Sequence, residues 1–108
     1  WPNDLNGHYL LAEIFIAQDD FESVSIRLDH IMALKPTSSK DLVVLAKNAL
    51  EKKEYDTAEA IYRVALETND QLDVVHQHLG DFFTQVGNEP QAQHHYDQAK
   101  KIAKEIGE

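Results

Sequence analysis

The stretch HLGDFFTQVGNEPQAQHHYDQA (78–99) decides the fold, because two earlier stretches match it position by position. The chain reads VLAKNALEKKEYDTAEAIYRVA at 44–65 and LLAEIFIAQDDFESVSIRLDHI at 10–31. The three stretches overlay without a gap at a period of 34 residues (78 − 44 = 44 − 10 = 34). A fixed period of this length indicates a fold built from one repeated structural unit.

Each unit keeps its large and small apolar residues in fixed columns. A leucine is followed each time by a small residue, in the pairs Leu11-Ala12, Leu45-Ala46 and Leu79-Gly80. A small residue at that position permits close contact between helices. Further apolar residues recur at steps of three and four, which predicts two amphipathic helices in every unit.

Short breakers separate the predicted helices. Inside the units they are AQDDF (17–21), EKKEY (51–55) and QVGNEP (85–90). Gly87 suits a left-handed helix end, and Asn88 can cap the helix that follows. Between the units lie KPTSSKD (35–41) and ETNDQLD (67–73). They supply Pro36 as a terminator and polar caps that include Asn69 and Asp70, so the predicted class is all-α.

This pattern resembles the tetratricopeptide repeat. The shared features are the 34-residue period, the Leu-small pair, an aromatic residue three beyond the small one, and then Ala and an aromatic residue four apart. The third unit carries all of them, in Leu79, Gly80, Phe83, Ala92, Tyr96 and Ala99. The resemblance covers repeats 5–38, 39–72 and 73–106 of a single domain, 1–108. It implies a right-handed α-solenoid of three helix-turn-helix repeats.

Two sequence features concern the ends of the array. Pro2 lies one period before Pro36, so we expect a further repeat upstream of Trp1. The last predicted helix has one main apolar stripe, formed by Ala92, Tyr96, Ala99, Ala103 and Ile106. A helix with one apolar face is expected at the end of an array. We therefore expect the chain to be the C-terminal part of a longer array, with additional repeats after Glu108 as the alternative.

Composition limits the classes of partner. The chain has 10 Lys and Arg against 19 Asp and Glu, a formal net charge of −9. This charge disfavours nucleic acid, whose phosphates are bound by basic side chains. It equally disfavours an anionic membrane surface, and no apolar run reaches the roughly 18 residues of a spanning helix. We expect a soluble protein with no nucleic-acid partner and no membrane insertion, and its compartment stays open.

No residue pattern points to catalysis, a cofactor or a metal site. There are no cysteines, and the histidines at 76, 78, 94 and 95 lack the i,i+4 spacing that brings two ligands to one helix face. His8 and His76 fall where the resembled family prefers a bulky aromatic residue, so we expect partly buried rings. Acid pairs such as Asp19-Asp20 lie at predicted helix ends, where carboxylates cap amides. We predict no enzyme activity, no cofactor and no metal ligands.

The resemblance implies a concave surface lined by the first helix of each repeat. The residues expected to contact a partner there are Tyr9, Glu13, Ile16, Lys40, Val43, Lys47, Leu50, Gln77 and Asp81. Its apolar members lie in the first two repeats, with Lys47 beside them and Glu13 opposite. Such a groove suits an extended or helical peptide that carries hydrophobic anchors and an acid. Ordinary exposed apolar side chains are the alternative interpretation.

The predicted function is a non-catalytic protein–protein interaction scaffold that binds a partner protein or peptide in this groove. Family members that hold chaperone tails by the carboxylate use basic and amide side chains at five slots. Those slots contain Tyr9, Glu13, Val44, Val74 and His78 here, so we expect no such clamp. Two alternatives stay open: self-association, for example through SIRLDHIM (25–32), or a regulatory role within a larger enzyme.

Overall fold

The computed structural model describes residues 4–107, with side chains through Glu105, and this range contains six α-helices and no strand. The helices are α1 (Leu5–Ala17), α2 (Phe21–Ala33), α3 (Lys40–Glu51), α4 (Tyr55–Glu67), α5 (Leu72–Gln85) and α6 (Glu89–Gly107). The predicted all-α class is confirmed. The expectation based on Pro2 lies outside the described residues, as does the side chain of Ile106.

The turns inside the three helix pairs share one backbone structure. The first helices end at Ala17, Glu51 and Gln85, at the predicted breakers and at intervals of 34 residues (51 − 17 = 85 − 51 = 34). Each turn has a left-handed residue, and these are Asp19, Lys53 and Gly87, with φ of 61°, 62° and 81°. The following amide donates to a carbonyl of the last helical turn, from Asp20 to Phe15, Glu54 to Ala49 and Asn88 to Phe83. These bonds close each first helix in the same way, and the predicted left-handed role of Gly87 is confirmed.

The caps of the second helices differ between pairs. Asn88 accepts a hydrogen bond from the Gln91 amide at 3.3 Å, as predicted. Asp20 accepts one from the Ser23 amide at the same distance in the first pair. Glu54 occupies the equivalent position of the second pair and forms no side-chain capping bond. The second pair therefore has the weakest cap of the three turns.

The loops between helix pairs are linked by Asp70. The prediction that Asp70 caps α5 is wrong, because its carboxylate reaches a different loop. It accepts hydrogen bonds from the Ser39 amide at 3.0 Å and from Ser39 Oγ at 3.3 Å. Gln71 precedes α5 without a side-chain capping bond. The carboxylate thus joins two loops whose residues are 31 positions apart in sequence.

The helices pack against their partner in the pair and against the neighbouring pair, except that α6 contacts only α5 within the described residues. α1 contacts α2 and α3, α3 also contacts α4 and α5, α4 also contacts α2 and α5, and α5 also contacts α6. This packing of adjacent helices is consistent with a helical repeat, and the molecule extends over 40 × 30 × 15 Å. Because α3 and α4 contact neighbours on more than one side, their apolar residues cover more than one face.

Gly80 lies in the contact between α5 and α6. A Cβ atom at Gly80 would lie 2.5 Å from Cε1 of Tyr96 on α6. Ala12 and Ala46 hold the equivalent positions of the other pairs and are fully buried. The predicted packing role of Gly80 is therefore confirmed.

The apolar stripe of α6 differs from the prediction at its end. Ala103 is exposed, whereas Ile102 is half-buried. The stripe continues from Ala99 by three residues instead of four, and both steps are compatible with one helix face. Sequence spacing alone does not choose between the two steps.

Candidate functional site

A groove between α1 and α3 exposes two apolar side chains. It has a volume of about 210 Å³ and is lined by Asn6, Tyr9, Leu10, Glu13, Asp41, Val44 and Leu45. Leu10 is 58% exposed and Val44 is 50% exposed, and they hold equivalent positions of the first and second helix pairs. We call this site the α1–α3 groove. Apolar atoms of a partner placed here would remove water from both side chains.

Two residues predicted to face a partner are buried in the core. Ile16 is 2% exposed and Val43 is 8% exposed, so neither side chain presents a large apolar surface to a partner. The reason is that α3 packs against α1, α4 and α5, which covers the face that carries Val43. The exposed apolar residues are Leu10 and Val44, one position after the predicted Tyr9 and Val43.

Three other predicted site residues take no part in the groove. Leu50 is half-buried and packs against the core. Lys40 and Gln77 are exposed and do not line the α1–α3 groove. Of the nine predicted residues, the groove therefore brings together only Tyr9 and Glu13.

Acidic side chains border the α1–α3 groove. Glu13 and Asp41 line it, and burial together with the nearby Asp41 carboxylate raises the pKa of the Tyr9 hydroxyl. Further along the same two helices lies a cleft of about 380 Å³ lined by Glu13, Ile16, Ala17, Asn48, Glu51 and Lys52. The cation in this lining, Lys52, is paired with Asp19 at 3.2 Å.

Lys47 of α3 and Asp81 of α5 both act on His78 of α5. Burial and the charge of Lys47 lower the pKa of His78, while Asp81 acts in the opposite direction. Asp81 also accepts a hydrogen bond from the hydroxyl of Tyr96. Lys47 and Asp81, both predicted to line the concave surface, thus act on His78 and do not line the α1–α3 groove.

The third helix pair contains a histidine contact between its two helices. Nδ1 of His76 on α5 lies 2.9 Å from Nδ1 of His95 on α6. One nitrogen donates and the other accepts, so the contact is lost when both rings are protonated. Burial lowers the pKa of both rings, and that of His95 falls to about 4. Spacing within one helix could not predict this pair, because His76 and His95 lie on different helices.

His8 is the equivalent residue of the first pair and is a buried ring. It stacks on His30 with a centroid distance of 5.3 Å, and its Nδ1 lies 3.3 Å from a guanidinium nitrogen of Arg27. His76 is half-buried, as expected, whereas His8 is buried more completely, with 3% of its surface exposed. No group of three or more His, Asp or Glu side chains that could hold a metal ion occurs among residues 4–107.

Two comparisons with known proteins find no match. No protein-family model matches the chain, and no curated protein matches it. None of the helices in the described range is long and apolar enough to cross a membrane. The geometry of the α1–α3 groove therefore carries the functional conclusion.

Proposed function

We propose that this chain is a non-catalytic protein-interaction module that binds a partner protein or peptide in the α1–α3 groove. The observation that carries the proposal is the exposure of Leu10 and Val44 in the lining of one groove. Full burial of an aliphatic side chain stabilises a complex by about 1.5–3 kcal/mol. Partial burial of Leu10 and Val44 by a partner would therefore also stabilise the complex.

The repeat class is part of the proposal. We assign the three helix pairs to the tetratricopeptide type, arranged as a right-handed solenoid with the groove on its concave side. Support comes from the constant interval between equivalent helix ends and from the recurring left-handed turn residue. Stacked helix pairs of this kind form extended binding surfaces.

Selection of displayed peptides tests the proposal. Random peptides on phage are selected on the purified chain and then compared on a Leu10→Ser, Val44→Ser variant. We expect peptides that bind the wild-type chain and lose binding to this variant. A matched Ile26→Ser, Met32→Ser variant removes two exposed apolar side chains from α2 and should keep binding. Circular dichroism checks that all three proteins are helical, and the proposal fails if no peptide distinguishes the two variants.

A second candidate function is self-association through α2. Ile26 and Met32 are exposed on this helix. A cleft of about 340 Å³ beside it is lined by Met32, Lys35, Pro36, Val64 and Glu67. Sedimentation velocity at rising concentration should then show dimers that the Ile26→Ser, Met32→Ser variant loses. A mass that stays monomeric at every concentration excludes this candidate.

A further inference from the structure

We infer that the segment bound in the α1–α3 groove carries an apolar side chain flanked by lysine or arginine. The inference rests on the proposed function and adds the chemistry of the partner. It replaces the acidic ligand expected from the sequence with a basic one.

Both carboxylates that line the groove lie beside its exposed apolar side chains. Glu13 comes from α1 and Asp41 from the first turn of α3, so each helix contributes one acid next to Leu10 and Val44. Both acids are exposed, and neither forms an ion pair within residues 4–107. A cation placed between them is attracted by both without having to break an existing pair.

The acidic character continues along the same two helices. The adjoining cleft shares Glu13 and adds Glu51. Its lysine, Lys52, is paired with Asp19 at 3.2 Å and donates to the Ala17 carbonyl at 3.4 Å, so its charge is already compensated. An acidic peptide lying along α1 and α3 would therefore meet carboxylates and no available cation in these two linings.

Lys47, an exposed lysine of α3, lies outside the linings of both the α1–α3 groove and the adjoining cleft. Its charge acts on His78 of α5. The formal net charge of −9 adds a long-range attraction for a basic segment. Local and overall charge therefore favour the same class of ligand.

Three synthetic peptides of equal length test the inference. They carry leucine at the same positions and lysine, glutamate or glutamine between the leucines, and fluorescence anisotropy measures their binding. We expect the lysine peptide to bind about ten-fold more tightly than the glutamine peptide at low salt, and the glutamate peptide to bind least tightly. Raising NaCl from about 50 mM to about 500 mM should remove most of this preference, because salt screens exposed charges.

Two charge-neutralising variants separate local recognition from overall attraction. Glu13→Gln, Asp41→Asn should weaken lysine-peptide binding about ten-fold and leave the glutamine peptide unchanged. Glu22→Gln, Asp29→Asn removes the same charge from exposed residues of α2 and should change binding less than about two-fold. Equal losses in both variants overturn the inference, because binding would then follow net charge alone.

The remaining outcomes distinguish a failure of the basic-ligand inference from a failure of the proposed groove function. If the glutamate or glutamine peptide binds as tightly as the lysine peptide and is lost in Leu10→Ser, Val44→Ser, the groove function stands and the basic ligand is refuted. If the lysine peptide binds this variant unchanged, both proposals fail. If none of the three peptides binds, the basic ligand is refuted and the display selection alone decides the function.

Discussion

Tyr62 in the second helix pair and Tyr96 in the third hold equivalent positions but have different surroundings. Tyr62 is 1% exposed, and its ring lies edge-on to Phe82 of α5 at a centroid distance of 6.1 Å. Tyr96 is half-exposed, covers Gly80 and donates its hydroxyl to Asp81. The first tyrosine lies in the core between two helix pairs, whereas the second belongs to the contact within one pair.

A further pair of equivalent positions shows the same contrast. Leu42 and Ile61 are fully buried in the second pair, whereas the third pair has the half-buried His76 and His95 there. Polar side chains at the Leu42 and Ile61 positions would be fully desolvated. Desolvation of a polar group lowers the stability of the folded state unless each polar atom forms a hydrogen bond. We therefore expect stability to be concentrated in the second pair, which is covered on both sides, while the third pair tolerates titratable groups.

Alanine substitution of the two tyrosines should give the largest difference between the pairs. Tyr62→Ala removes a fully buried ring and should lower the free energy of unfolding by about 3–5 kcal/mol. Tyr96→Ala should cost about half as much, since part of its ring already contacts water. Urea unfolding followed by circular dichroism measures both values. Equal costs would contradict the concentration of stability in the second pair.

Replacing Gly80 of the third pair by alanine, the residue at the equivalent position of the other two pairs, should destabilise the protein. Gly80→Ala places a Cβ atom against the Tyr96 ring and should cost about 1–3 kcal/mol through overpacking. Adding Tyr96→Leu copies the Ala12 and Leu28 combination of the first pair and should restore part of the loss. Gly7→Ala is the control, since its Cβ would have no neighbour nearer than 3.7 Å. A Gly80→Ala variant as stable as the Gly7→Ala control would show that Tyr96 moves freely.

Transferring the turn of the third pair to the second should stabilise the protein. Lys53→Gly relieves a left-handed backbone at a φ of 62° and should add about 1 kcal/mol. Glu54→Asn introduces the side-chain cap that Asn88 provides and should add about 0.5–1 kcal/mol. The reciprocal Gly87→Lys change should lower stability by a similar amount. Thermal unfolding measures all three, and no gain from Lys53→Gly would mean that the turn carries no strain.

The smallest of the expected changes is a loss of folding stability of the third pair at acidic pH. The folded-state pKa of His95 is lowered to about 4 by burial and by His76, His94 and Arg63, with Glu59 acting in the opposite direction. Below pH 6.5, the ordinary pKa of a histidine, the unfolded chain binds a proton that folded His95 does not. Stability should therefore fall as the pH drops from about 6.5 to about 4 and level off below that. The loss should be about 1 kcal/mol or less, because the rings are partly solvated.

A variant that carries the residues of the second pair at positions 76 and 95 tests whether these histidines cause the acid sensitivity. His76→Leu, His95→Ile replaces the histidine contact by the Leu42 and Ile61 combination and removes both titrating rings. Its urea midpoint should change less between about pH 7 and about pH 4.5 than that of the wild-type chain. An unchanged pH dependence would assign the acid sensitivity to other groups.

The helix boundaries could be predicted because their causes are local. The left-handed turn at Gly87 and the cap formed by Asn88 depend only on residues close in sequence. The groove depends on how α3 is rotated between its neighbours. Val43 and Val44 are adjacent valines that point about 100° apart, so composition does not tell which of them is buried. The tetratricopeptide identity of the repeats stays a prediction.

The hydrogen bonds from Ser39 to Asp70 should make bending of the molecule directional. Both bonds end on one carboxylate oxygen and tie together the loops that precede α3 and α5. The second and third pairs are thereby clamped at the end where these two helices begin. We expect slow bending motions to change the distance between α3 and α5 mainly at the C-terminal ends of these helices. The distance near the Ser39–Asp70 hydrogen bonds should stay nearly constant. A partner spanning both helices would then meet a surface whose width varies at one end and stays fixed at the other.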